Sequence, residues 1–436
     1  MIFLVSLLSF YVAWNLGAND VANAMGTSVG SKAVTMRQAL IIAGVLEFTG
    51  AVLFGQEVSQ TLATEIVNPA LFATSPQLLL IGMVCVLLAG GVWLQIATSW
   101  GLPVSSSHAV VGAIAGFSAE AIGFGAIDWS TLGKITFAWV ITPVISGIIS
   151  ALLYSLVKRW ILEEQNPLGQ LAEWIPWLSA ALIGVFGVIV LPSISQPIYA
   201  LLTQRWGFHL PSHDIPLILG SIAAVGLTLT SWRQLESRGA GEHFSRGAEG
   251  QRGRGEISIQ NPLAASHLLV EQTMARFQLL SACFVAFAHG SNDVGNAIAP
   301  LAAIVYINRT GNVPLNGITI PFWILVLGGA GIVAGLAVWG KKVIATIGEG
   351  IISLQPSGGF CAELATATTI LLASRLGLPV STSHALVGGV VGIGLVQNIK
   401  SIQFKTLQGI AGAWLITVPV SALLSASIFA LVSLFL

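Results

Sequence analysis

The chain has 436 residues, of which 55% are hydrophobic and only 8% charged, with 18 basic against 18 acidic side chains and a mean hydropathy of +0.85. That balance excludes a soluble globular domain and points to no nucleic-acid partner. It describes a helical protein with many apolar stretches of about 20 residues, the length that crosses a bilayer, and lacks the short alternating strands of a membrane barrel.

Apolar segments fall near residues 1–30, 36–55, 78–98, 103–124, 132–157, 174–192, 214–231, 268–307, 320–346, 358–375, 379–397 and 406–436. They predict an all-α polytopic membrane protein of about twelve transmembrane segments. The first could pass for a secretory leader, with Ala22-Asn23-Ala24 as its cleavage site. It has no basic start, however, and the same motif recurs at 293–297, so residues 1–16 read as part of a membrane helix. The stretch 233–262 is rich in Gly, Arg, Glu and Ser and reads as a flexible soluble linker. Cys85, Cys283 and Cys361 show neither metal spacing nor a disulfide framework.

Three motifs occur twice in the same order. Gly17-Ala18-Asn19-Asp20-Val21-Ala22-Asn23-Ala24 matches Gly290-Ser291-Asn292-Asp293-Val294-Gly295-Asn296-Ala297 at an offset of 273. Pro103-Val104-Ser105-Ser106-Ser107-His108 matches Pro379-Val380-Ser381-Thr382-Ser383-His384 at 276. Ala138-Trp139-Val140-Ile141-Thr142 matches Ala413-Trp414-Leu415-Ile416-Thr417 at 275. The chain therefore divides into a first transmembrane repeat, 1–157; two connecting segments, 158–232; a hydrophilic cytoplasmic linker, 233–265; and a second repeat, 266–436.

Seven segments separate the starts of the two halves. Seven is odd, so the halves enter the membrane from opposite sides and form inverted-topology repeats. With the N-terminus outside, 14 of the 18 Lys and Arg residues fall inside, and only Lys134, Arg205, Arg309 and Arg375 fall outside. This asymmetry places both termini outside and the linker in the cytoplasm. The junctions at Pro103 and Pro379 read as spanning turns or as the tips of re-entrant hairpins, and either leaves the parity unchanged.

An Asp within hydrocarbon is costly and points to function by default. In the Asn-Asp motif, Gly17 and Gly290 let the backbone open. An unwound turn would offer carbonyl oxygens beside Asp and Asn side chains, a set that suits a small hard cation. The competing reading is a polar contact between helices. In the Ser-rich motif, proline starts a helix and places hydroxyls and free N–H groups at its N-terminus, where an oxyanion binds. The alternative is that these hydroxyls bond back to helix carbonyls. A Ser/His nucleophile pair is disfavoured because Ser107 and His108 diverge on a helix.

Glu47 and Glu363 also lie in apolar segments and do not align under the repeat offsets. Each reads as a cation ligand or proton carrier, or as a hydrogen-bonded acid. His289 stands where the first repeat has Leu16, with a structural and a functional reading evenly weighted. His108 and His384 read as orienting the Ser clusters. No Lys or Arg is predicted deep in a span, so an anionic substrate would need co-bound cations at the carboxylates. That coupling is symport.

The paired motifs, together with Pro356-Ser357-Gly358-Gly359-Phe360-Cys361-Ala362-Glu363, resemble the inorganic phosphate transporter (PiT) family over nearly the whole chain outside 158–265. The resemblance implies secondary transport of inorganic phosphate driven by sodium or protons, a twelve-helix inverted-repeat fold with broken or re-entrant helices, and a possible homodimer. The family's important acids fall on Asp20, Asp293, Glu47 and Glu363, and its histidine on His289. Ser291 departs mildly from the Gly or Ala of many members. Asn19-Asp20 looks like the sodium-coupled branch, whereas proton-coupled members show His-Asp there.

On this reading Asp20 and Asp293 hold sodium with Asn19, Asn23, Asn292 and Asn296. Phosphate is met by Ser105, Ser106, Ser107, Ser381, Thr382 and Ser383, with Asn23 and Asn296 also reaching it. Glu47 and Glu363 tune or share the cation sites, and His289, Thr142 and Thr417 are accessory. No cofactor is expected beyond sodium ions or protons as coupling ions. The expected location is the plasma (inner) membrane, with no enzymatic activity. The rivals are a sulfate or other oxyanion symporter, an anion channel and, distantly, an intramembrane hydrolase.

Overall fold

A computed structural model describes residues 1–100, 104–192, 214–248, 262–315, 317–347 and 351–435. Among these residues the apolar segments fold as helices. The first half holds α1 (Ile2–Gly30), α2 (Met36–Phe54), α3 (Gln56–Thr64), α4 (Pro76–Ser99), α5 (Ser106–Ala121) and α6 (Trp129–Val157). Then come α7 (Pro167–Ile189) and α8 (Asp214–Ala248). The second half holds α9 (Pro262–Thr310), α10 (Phe322–Ile347), α11 (Pro356–Arg375), α12 (Thr382–Gln397) and α13 (Phe404–Ser433).

Among the described residues, eight stretches are long and apolar enough to cross a membrane: α1, α2, α4, α6 with its extension to Leu162, α7, Ile215–Ser237 of α8, Phe322–Lys341 of α10, and α13. Helices α5 and α12 have 16 residues each, about 24 Å, which is short of the ~30 Å hydrocarbon core. Their first residues, Ser106 and Thr382, are buried. Helices α4 and α5 pack against each other, as do α11 and α12, so each pair is a hairpin whose shorter arm starts among buried residues. Local chemistry starts both short helices. Ser105 and Ser381 adopt extended backbone geometry, and their hydroxyls accept from the amides of His108 and His384, 3.3 Å away in each case.

The bounds of these helices repeat at the offsets of the sequence motifs. From α5 to α12 the starts differ by 382 − 106 = 276, and from α6 to α13 by 404 − 129 = 275. The halves are interleaved rather than side by side. Helix α1 packs on α10 and α9 on α2, while α5 packs on α13 and α12 on α6. One large apolar core joins α1, α2, α4, α5, α9 and α10. A second joins α7, the start of α9, α11 and α12.

Two expectations are corrected. The helices do not break at the Asn-Asp motifs: α1 runs through Asn19-Asp20 and α9 through Asn292-Asp293. Gly17 and Gly290 serve close approach instead of unwinding. A Cβ on Gly17 would collide with the carbonyl of Ile332 in α10, and one on Gly290 with the carbonyl of Glu47 in α2. With the backbone bonds kept inside the helices, unwound carbonyls are not available as ligands, and the site has to be built from side chains. Second, α8 continues as helix through Ala248, into the expected flexible linker. Arg233, Gln234, Leu235 and Glu236 are good helix formers and prolong the preceding span. Pro103, Arg205 and linker residues 249–261 lie outside the described residues.

Candidate functional site

Helical spacing puts Asp20 and Asn23 one turn apart on α1, and Asp293 and Asn296 one turn apart on α9. All four are buried. The two Asn side chains reach across to the hairpin of the opposite half. Asn23 Nδ2 donates to Ser383 Oγ at 3.1 Å and lies 3.5 Å from Thr382 Oγ1. Asn296 Nδ2 donates to Ser106 Oγ and Ser107 Oγ, each at 3.2 Å. Contacts within a half complete the frame: Asn23 Nδ2 to Asp20 Oδ1 at 3.2 Å, and Thr382 Oγ1 donating to Asp293 Oδ2 at 3.1 Å. The N-termini of α5 and α12 therefore face the acidic turns of α1 and α9. First-turn N–H groups have no acceptor within their own helix, and the helix dipole is positive at that end, so two such ends facing one another carry the chemistry that suits an anion.

Beside these helix ends lies a cluster of three buried carboxylates and one imidazole. His289 Nε2 is 3.1 Å from Asp293 Oδ2 and 4.0 Å from Asp20 Oδ2. Its Nδ1 is 3.2 Å from Glu47 Oε1. His289 and Glu47 are fully buried, and Asp20 and Asp293 are 1% exposed. Among the described residues, Asp20 Oδ2, Asp293 Oδ1, Glu47 Oε2 and Asn296 Oδ1 have no hydrogen-bond partner, and Glu47 Oε1 faces only the His289 ring. Buried acceptors in that number, at one place, need a positive charge to offset their desolvation.

Other expected site residues have different partners. Asn19 Nδ2 donates to Thr98 Oγ1 at 2.7 Å. Asn292 Nδ2 donates to Ser374 Oγ at 3.0 Å and Leu378 O at 3.1 Å, while its Oδ1 accepts from the Val380 amide. Both Asn residues tie their helices to a hairpin. Ser105 and Ser381 act as helix caps. Thr142 and Thr417 donate one turn back to the carbonyls of Ala138 and Ala413, the back-bonding expected of a threonine within a helix. His108 and His384 cross over: each Nδ1 faces the carbonyl of a Trp from the other half, at 3.4 Å for Trp414 and 3.2 Å for Trp139. Their rings meet edge to face at 4.7 Å behind the Ser clusters.

Glu363 is not brought to the Asp20–Asp293 cluster. It sits beside Thr27 and Ser28, two turns further along α1, or about 11 Å at 1.5 Å per residue. Four side chains donate to its carboxylate: Thr27 at 2.5 Å, Ser28 at 2.8 Å, Gln278 at 3.3 Å and Ser281 at 2.7 Å. Sequence reasoning missed these four donors. It also missed Thr98 and Ser374, although that pair was within reach because it recurs at the same offset of 276 as the Ser motif.

The sequence profile described as "Phosphate transporter family" matches residues 16–425. The chain belongs to the phosphate transporter family. It is 40% identical over 429 residues to "Inorganic phosphate transporter 2-1, chloroplastic" of Arabidopsis thaliana, covering 96% of this chain and 70% of that one. A solved structure described as "The sodium-dependent phosphate transporter" superposes with a TM-score of 0.84 at 35% identity, over 100% of this chain and 99% of the other. Family and fold identify an integral, multi-pass membrane transporter, not an enzyme. In this transporter the paired Ser-rich helix ends suit the tetrahedral anion, and the acidic cluster suits a cation.

Proposed function

We propose that the protein imports inorganic phosphate across the plasma membrane by sodium symport with alternating access, with both termini outside. The observation that carries this reading is the crossed frame, in which Asn23 and Asn296 each link an acidic helix of one half to an oxyanion-binding hairpin of the other. A cation at Asp20 and Asp293 and an anion at Ser106, Ser107, Thr382 and Ser383 would share these two amides, so binding one favours the other. Glu47 tunes the cation site through His289. Glu363 acts at a distance, by tying α11 to α1 and α9. Sodium is favoured over protons by Asn19-Asp20 and by the likeness to a transporter described as sodium-dependent.

Alternating access rocks the α5–α6–α12–α13 group against α1, α2, α9 and α10, with the crossed amides at the boundary. Uptake of labelled phosphate into proteoliposomes tests the proposal. An inward sodium gradient is expected to accelerate uptake, and excess sulfate to leave it intact. Equal uptake in the absence of any cation gradient would sink the symport reading.

A further inference from the structure

The two repeats differ at one position of the central cluster, where α1 has Leu16 and α9 has His289. A hard alkali ion needs only oxygens, and the cluster has those without the imidazole. The imidazole changes which metals the cluster can hold, because nitrogen beside carboxylate is the donor set of zinc and its neighbours among the divalent transition ions.

The geometry fits such an ion. One ligand atom each from Asp20, His289 and Asp293 lies within 4.8 Å of the others. Bonds of about 2.1 Å in a tetrahedral site place ligand atoms roughly 3.4 Å apart. The measured separations from His289 Nε2, 3.1 Å to Asp293 and 4.0 Å to Asp20, bracket that value. The surroundings resemble the outer shell of a metal centre. Glu47 stands 3.2 Å from Nδ1, the place of the carboxylate that holds a ligating histidine in the tautomer with Nε2 free. Thr382 donates to Asp293 Oδ2, as outer-shell groups do to ligating carboxylates. Asp20 Oδ2 is buried and without a hydrogen-bond partner among the described residues, and His289 Nε2 faces carboxylate oxygens alone.

We propose that Asp20, His289 and Asp293, backed by Glu47, form a binding site for a divalent transition ion of the zinc class, which displaces the coupling cation and arrests phosphate uptake. The displacement rests on the sodium reading above; the metal site itself does not.

The test uses the full chain in lipid nanodiscs, with zinc alone in sodium-free and phosphate-free buffer. Equilibrium dialysis is expected to show a high-affinity ion that sodium displaces competitively. Cobalt in its place is expected to give the visible bands of a four-coordinate nitrogen–oxygen site. His289→Leu, which installs the residue of the first repeat, is expected to lose this ion while keeping a cooperative thermal transition. Glu47→Gln is expected to weaken it by about 10–100-fold, the usual effect of losing an outer-shell partner.

Wild-type zinc affinity in folded His289→Leu would overturn the proposal. So would zinc carried in with phosphate without slowing it, whereas zinc binding that sodium does not touch would remove the displacement and leave the metal site. Sodium-driven uptake with no stoichiometric zinc binding would remove the metal site and leave the symport standing. Zinc binding at the triad with cation-independent uptake would do the reverse.

Discussion

Two buried acidic sites stand about two turns apart along α1, and they are built in opposite ways. At Glu363 four donors converge on one carboxylate. Hydrogen bonds to a charged group contribute ~1.5–3 kcal/mol each, enough together to offset a burial cost of several kcal/mol per ion. At the Asp20–Glu47–Asp293 cluster most oxygens lack a donor, and one histidine faces three carboxylates. A saturated carboxylate is a structural tie. An unsaturated cluster has the open acceptors that the proposed cation site requires.

The repeat sharpens this contrast. Shifted by the motif offsets, Gln278, Ser281, Thr27, Ser28 and Glu363 fall on Val5, Leu8, Pro300, Leu301 and Leu87. The counterpart of the polar pocket is wholly apolar, and Val5, Leu87 and Leu301 belong to the main core. On the proposed orientation, the polar pocket lies toward the cytoplasmic end of α1 and its apolar counterpart toward the external face.

The largest effect is expected from transplanting the charge without its donors. Leu87→Glu buries an acid in an apolar core and should destabilise by ~3–5 kcal/mol or abolish folding, read as loss of monodisperse protein and a lower Tm. Next, Glu363→Ala leaves four donors without their acceptor and should cost about 3 kcal/mol or more. The conservative Glu363→Gln should recover most of that loss, and an equal Tm for the two variants would argue against the tie.

Asp20→Asn and Asp293→Asn should do the opposite at the other site. They relieve like-charge crowding, so Tm holds or rises, while sodium-driven uptake is lost. Normal uptake by either variant would return that Asp to a structural role. Asn23→Ala and Asn296→Ala each remove a crossed amide worth ~0.5–1.5 kcal/mol, and should raise the phosphate KM by up to about tenfold with smaller changes in Tm. The smallest effect belongs to Thr142→Val and Thr417→Val. Their hydroxyls bond only within their own helices, so uptake should stay near that of the parent protein and stability should shift by about 0.5 kcal/mol or less.

Much of the site was legible in sequence because duplication marks it. The Asn-Asp and Pro-Val-Ser motifs named Asp20, Asn23, Asp293, Asn296, Ser106, Ser107, Thr382 and Ser383, and these residues do meet, whereas Ser105 and Ser381 cap their helices. His289 was visible as a break in the repeat and through the family resemblance, and its three carboxylate neighbours come from three helices. Glu363 could be singled out as an acid in apolar sequence, but its donors are ordinary Ser, Thr and Gln residues with no motif around them. Thr142 and Thr417 were marked by the same repetition, and what it preserved there is a bond within each helix.

The sequence alone determined the class of protein, the duplication, the family and the residue types at the centre, because hydropathy and exact repetition are one-dimensional properties. Only the tertiary structure decided that α1 and α9 stay helical through their motifs, since that depends on Gly17 and Gly290 being pressed against neighbouring backbones. It alone decided that the halves interleave, so that each Asn serves the other half's hairpin. It also separated the two acid sites, because whether a buried carboxylate is satisfied depends on donors hundreds of residues away.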